Sequence, residues 1–191
     1  MTEPRAYGRE RREWTFTGRT DAPPEVVFDV LSDLSTHLEW GGRRQYKWFR
    51  LLSLDAPPGP AQTGTVYETV GTIPMMSMRF HNRNTVTQAE RPSVFEVTTE
   101  SRIPWAKRPH GEGTFINRFE IVPDGSGSRV TYRSRQLRFR EPPWGLRYPV
   151  VRTITARVWI RIWSGRGFRN LLRLAGSDSA MAQRASTRSA R

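Results

Sequence analysis

The sequence has no cysteine, which excludes disulfides, thiolate metal sites and a cysteine nucleophile. Its three histidines, His37, His81 and His110, are scattered, which argues against a histidine metal cluster, and neither a metal nor a cofactor is expected. No apolar run approaches the length of a membrane span. The opening MTEPRAYGRERREWTF carries charge without the apolar stretch of a signal peptide, so the protein is expected in the cytoplasm. Lysine is confined to Lys47 and Lys107, and arginine supplies nearly all of the basic charge. Acids are scarce late in the chain: between Arg129 and Arg173 twelve arginines face one acid, Glu141, which places +11 of the net +13 there. That excess fits an anionic partner, and it fits equally an arginine-rich composition on solvated faces.

What the chain does have is length, 191 residues, enough for one domain with a sizeable core, and no shift of composition marks a second. Residues 1–13 are polar and without period and are expected to form a flexible arm. Trp14, Phe16 and Gly18 alternate with Thr15, Thr17 and Arg19, the period of a first strand. Asp21, ahead of Pro23, Pro24 and Glu25, is a helix-start signal, and Val26, Val27, Val30 and Leu31 follow at helical spacing. A second short turn is expected over Ser35 to Leu38, ending before Trp40 and the Gly41-Gly42 break. Strands are expected over 46–54, 65–72, 76–88, 94–101, 115–122 and 129–139, with PDGSGS as the tip of the last hairpin. The segment IPWAKRPHGEG, residues 103–113, reads as a loop.

A helical segment, YPVVRTITARVWIRIWSGRGFRNLLRLA, closes the patterned part of the chain. Val151, Ile154, Val158 and Ile162 recur at steps of three and four and form one apolar stripe. Pro149 suits the first turn, and Gly165 with Gly167 is expected to end or bend the helix after Ser164. A looser continuation runs through Phe168, Leu171, Leu172 and Leu174, and residues 176–191 are expected to be disordered.

The segment TDAPPEVVFDVLSDLSTHLEW resembles the opening of the START-like (SRPBCC) superfamily, in particular its polyketide cyclase/dehydrase branch. The strand-turn-strand TVTQAERPSVFEVTTES, the hairpin FEIVPDGSGSRVTYRS and the closing helix extend the resemblance over about residues 14–175. It implies an α+β helix-grip fold: a curved antiparallel sheet of six to seven strands around a long C-terminal helix, two short helices after the first strand, and an internal cavity. It further implies a hydrophobic or polyketide-like small-molecule ligand, with cyclase or dehydratase activity in some members.

Strand parity then selects a lining. On the 76–88 strand Met78, Phe80, Asn82 and Asn84 share the more apolar side; Phe95, Val97 and Thr99 follow on the next strand. Phe115, Asn117 and Phe119 share a face of the hairpin, as do Tyr132, Ser134 and Gln136 with Val130; Val158 and Ile162 would face them from the helix. Apolar walls with sparse neutral polar groups suit an amphipathic ligand, while the same Phe and Met side chains could fill the space as core. Catalysis has weak candidates only: Tyr132 as a proton donor, and Arg79, His81 and Arg83 if the strand register were shifted by one residue.

A second reading uses the basic helix. Arg157 and Arg161 adjoin on one side and Trp159 and Trp163 on another, a mixture suited to an anionic membrane surface. Nucleic-acid binding has suitable charge but no reading motif.

Overall fold

The computed structural model describes residues 12–47, 50–72, 79–105, 108–140, 158 and 161–189, with backbone alone at 104–105, 108–110, 139–140 and 178–189. Met78, Trp144, Val151, Ile154, Arg157 and Trp159 lie outside the described residues.

Strand β1 (Arg12–Thr20) leads into helix α1 (Pro24–Ser32), a 3-10 turn (Leu34–Thr36) and a π turn (Glu39–Arg43). Six strands follow: β2 (Leu51–Asp55), β3 (Val66–Thr72), β4 (Arg79–Glu90), β5 (Val94–Trp105), β6 (Arg108–Asp124) and β7 (Gly127–Arg140). Helix α2 (Arg161–Ser189) closes the chain. All seven strands form one antiparallel sheet in the order β1-β7-β6-β5-β4-β3-β2, so a meander is completed by β1 adding beside the last strand. Helices α1 and α2 and the two short turns pack on one face of it, the α+β arrangement expected from the sequence.

Several boundaries differ from the sequence reading. Residues 103–105 and 108–113, read as loop, are strand: β5 pairs with β6 through Ile103↔Gly111 and Trp105↔Arg108. The π turn runs across Trp40, Gly41 and Gly42 instead of stopping there, because Leu51 packs against both glycines, with a side-chain carbon 3.1 Å from where a Gly41 Cβ would stand. Pro23, rather than Asp21, caps α1. Most consequentially, α2 does not end at Gly165 or Gly167 but continues to Ser189, over residues read as a disordered tail. Both glycines sit at close approaches that side chains would obstruct: a Cβ at Gly165 would lie 3.1 Å from the Phe16 ring, and one at Gly167 2.8 Å from Gln45 Nε2. Tertiary contact thus offsets the roughly 1 kcal/mol that each glycine costs a helix.

The buried side of α2 is Ser164, Gly167, Phe168, Asn170, Leu171, Leu172 and Ala175. Val158 and Ile162, expected to line the interior, are instead 44% and 42% exposed, since the helix docks through its next turns. The core gathers Val27, Phe28 and Leu31 of α1, Val86, Phe95, Val97, Phe119, Ile121 and Val130 of the sheet, and Phe168, Leu171 and Leu172 of α2. Burial of a full Leu or Phe side chain contributes about 1.5–3 kcal/mol each, so this cluster dominates the stability of the fold.

Candidate ligand-binding site

The face of the sheet that meets α1 and α2 is read directly from register. Across β3 to β7 the register row Tyr67, Asn84, Thr99 continues through Phe115 and Gln136, while Asn117 and Ser134 pair with each other two residues along on the same face. Phe80, Asn82, Asn84, Phe95, Val97, Thr99, Phe115, Asn117, Phe119, Tyr132, Ser134 and Gln136 all have inward parity, as alternation of the sequence predicts. Arg79, His81 and Arg83 stand on the opposite, exposed face, where His81 is placed across from Arg102 and Arg83 across from Glu100. These three are therefore removed from any chemistry in the interior.

The inward face is divided. At the end covered by α1, Phe95, Val97 and Phe119 belong to the packed core cluster and are structural side chains rather than walls of a cavity. Their rings are fixed by aromatic contact: Phe28 meets Phe95 edge-on at 5.9 Å, and Phe119 stacks on Tyr132 at 4.6 Å. Tyr132 also stacks on Phe16 of β1 and Phe168 of α2, at 5.8 and 6.0 Å, and those two rings lie 6.4 Å from each other.

Next to this core runs a belt of neutral polar side chains crossing five strands. Tyr132 and Ser134 hydroxyls each donate to Asn117 Oδ1 at 2.9 Å. Asn117 Nδ2 donates to Thr99 Oγ1 at 3.2 Å, and Thr99 donates to Asn84 Oδ1 at 2.9 Å. Asn84 Nδ2 donates to Thr69 Oγ1 at 3.2 Å and to the Tyr67 carbonyl at 3.4 Å. Every bond points the same way along the belt, from β7 toward β3. Buried polar groups of this kind hold together because each is satisfied; removal of one member orphans its neighbours.

The belt changes the reading of Tyr132. Burial raises its phenol above the ordinary tyrosine value, and its proton is already given to Asn117. Burial likewise raises Tyr67. Neither phenol is poised near neutral pH as a general acid would be.

Beyond the belt, the inward positions are Phe80, Asn82, Ser101, Ile103, Gly111, Gly113, Phe115 and Gln136, with Trp14 and Arg12 at the start of β1. Phe80 is buried yet lies outside the main core cluster. Its ring occupies the place a side chain on Gly71 would take. Among the strand residues whose side chains are described, this face carries no carboxylate, lysine or histidine, and Arg12 lies on it at the start of β1. Thr69, Ser101 and the glycines of β6 were not singled out from the sequence; the alternation of Thr69 with Tyr67 and Gly71 was the available signal for the first.

His37 is a structural group. It is buried, its Nε2–H donates to the Leu31 carbonyl at 2.9 Å, and its ring lies 4.8 Å from that of Trp40. Desolvation pushes its pKa down to about 4, so it stays neutral at physiological pH. Among the described residues no three His, Cys, Asp or Glu side chains come together as metal ligands, and no helix is long and apolar enough to cross a membrane.

A seven-stranded antiparallel meander gripping a C-terminal helix, with polar groups buried on its inner face, can be compared with known proteins. The family described as polyketide cyclase / dehydrase and lipid transport matches residues 13–175. The chain belongs to this family. No curated protein matches its sequence. Among solved structures, an uncharacterised protein from Rhizobium leguminosarum is similar at 11% identity and a TM-score of 0.61, covering 87% of this chain and 95% of that one. A protein from Thermus thermophilus gives 15% identity and a TM-score of 0.56, covering 88% and 99%. The ginseng major latex-like protein 151 gives 8% identity and a TM-score of 0.55, again covering 88% and 99%. At such identities these structures establish the shared helix-grip fold. Membership of the family points to binding of a hydrophobic small molecule.

Proposed function

We propose that this protein binds and carries a hydrophobic or polyketide-like small molecule between the inner face of the sheet and the closing helix. The observation that carries the reading is the inner face itself. Beyond the belt, aromatic Phe80 and Phe115 are interrupted by the neutral amides of Asn82 and Gln136, the mixture that gives affinity through apolar contact and orientation through few polar groups. Cyclisation or dehydration would require a general acid or base within hydrogen-bond reach of the reacting atoms. Tyr132 is the best placed proton donor on this face, and its bond to Asn117 and its raised pKa support a binding role over turnover. The binding walls are the residues beyond the belt, Phe80, Asn82, Phe115 and Gln136, rather than the packed Phe95, Val97 and Phe119. Native mass spectrometry of the purified protein, followed by denaturing extraction, tests this: a stoichiometric apolar small molecule is expected. A protein that is empty and also ignores a panel of lipids and aromatic polyketides would refute it.

A second reading is supported by one feature of α2. Ile162, Arg166, Arg169 and Arg173 follow at steps of four, three and four along one face of the helix, and Val158, four positions before Ile162 in the chain, is exposed as well. Among the described residues Arg161, Arg169 and Arg173 have no carboxylate within ion-pair distance, whereas Arg19, Arg118, Arg129 and Arg133 on the sheet are each paired at 2.7–3.5 Å. Exposed apolar groups beside unpaired arginines fit an anionic lipid surface, from which a carrier could collect its ligand. Cosedimentation with vesicles containing phosphatidylglycerol, lost with rising salt and in Arg169→Gln/Arg173→Gln, is the expected result. Equal binding to neutral vesicles would remove this reading.

A further inference from the structure

The belt leaves one acceptor of the inner face over. Asn82 Oδ1 is buried and has no hydrogen-bond partner. Among the described residues three other buried side-chain atoms share that condition, Trp40 Nε1, Gln45 Oε1 and Arg50 Nε, but they belong to the π turn and the segment just before β2. Asn82 alone stands on the inner face of the sheet, beside Phe80 and Asn84 on β4, opposite Thr69 on β3 and Ser101 on β5. The nearest belt amide, Asn84, cannot turn to it without breaking the bonds it already makes. Asn84 spends both amide protons on Thr69 and Tyr67 and its oxygen on Thr99, and neither the Thr69 nor the Ser101 hydroxyl, on the strands to either side, donates to Asn82 Oδ1.

A buried amide oxygen without a donor costs about 1–3 kcal/mol, and such a group calls for a partner that the protein itself does not supply. We propose that Asn82 is the specificity-determining residue of the site and that the ligand is a neutral amphipath presenting a hydroxyl hydrogen, a phenol or an alcohol, to Asn82 Oδ1. This rests on the small-molecule reading above and adds the ligand class. An ionised carboxylate is disfavoured there, because it would set lone pairs against the amide oxygen. An ammonium group is disfavoured too, since no carboxylate among the described strand residues shares the face to neutralise it. The other polar lining groups, Asn84, Thr99, Asn117, Tyr132 and Ser134, hold the sheet together rather than the ligand.

Matched probes separate the two claims. Isothermal titration calorimetry with 2-naphthol and 2-methoxynaphthalene, and with 1-dodecanol and its methyl ether, compares ligands that differ only in the hydroxyl hydrogen. The wild-type protein is expected to prefer the hydroxyl member of a pair by roughly 3- to 10-fold, the worth of one net hydrogen bond. Asn82→Leu should abolish that preference while leaving methyl-ether binding unchanged or tighter, and it should raise the melting temperature of the ligand-free protein, because an unpaired buried amide is gone. Ser101→Ala, a cross-strand neighbour, should keep the preference. If wild-type protein binds both members of each pair equally, the role of Asn82 is overturned and the small-molecule reading survives. Should neither pair bind to any measurable extent, both fall together.

Discussion

Acidification from pH 6.5 to about 4 should weaken this fold by about 3 kcal/mol through His37 alone. The imidazole is buried against Trp40 and Tyr67 and gives its Nε2 proton to the Leu31 carbonyl. Charging it there means stripping water from a cation, and this desolvation outweighs the Leu31 carbonyl and Asp33, which both pull the pKa upward. The unfolded chain takes up the proton near 6.5, the folded one only near 4. Within that window the unfolded state holds up to one proton more, so stability is complete above the unfolded value and is lost as pH falls, by at most about 1.4 kcal/mol per pH unit. Below the folded value both states are protonated and the loss from this group stops. Urea unfolding of wild-type protein and His37→Gln at intervals between pH 7.5 and 4 isolates the effect, since carboxylates titrate alike in both. The wild-type minus variant difference should shrink toward acid over this window. A difference independent of pH would refute the argument, whatever the variant costs at neutrality.

Other substitutions probe packing, the belt and the outer face. Gly18→Ala places a Cβ 2.5 Å from Leu172 Cδ1 and 3.1 Å from the Phe168 ring, and an overpacking loss of about 1–3 kcal/mol in urea unfolding is expected. Asn117→Leu removes the acceptor of Tyr132 and Ser134 and the donor to Thr99; a loss of about 3–5 kcal/mol is expected, with a marked fall in melting temperature. Arg118→Met, by contrast, should cost under about 1 kcal/mol and less at high salt. Its pairs with Glu96 and Glu120, both at 3.0 Å, are partly open to solvent, and near-wild-type unfolding is the result to look for.

Much of the fold was legible because a strand repeats every two residues. Alternation alone assigned Phe80, Asn82 and Asn84 to one side and Arg79, His81 and Arg83 to the other, and the burial of β4 follows that division. The Pro-Asp-Gly and Gly-Ser cluster located the β6–β7 turn for a local reason as well: Gly125 sits at a φ of 64°, which suits glycine. What local pattern could not convey depends on partners far away in the chain. Helix α2 passes through Gly165 and Gly167 because Phe16 and Gln45 approach it there, from residues well over a hundred positions upstream. For the same reason the apolar stripe through Val158 and Ile162 was a poor guide to the buried side of α2, whose docking is set by Gly18 of β1 and by the π turn. Parity placed Phe95 and Asn82 on one face, but it could not tell core from site. That distinction arises from where α1 covers the sheet and from which amides find partners, since burial is a property of the neighbours a side chain meets and not of the residue that carries it.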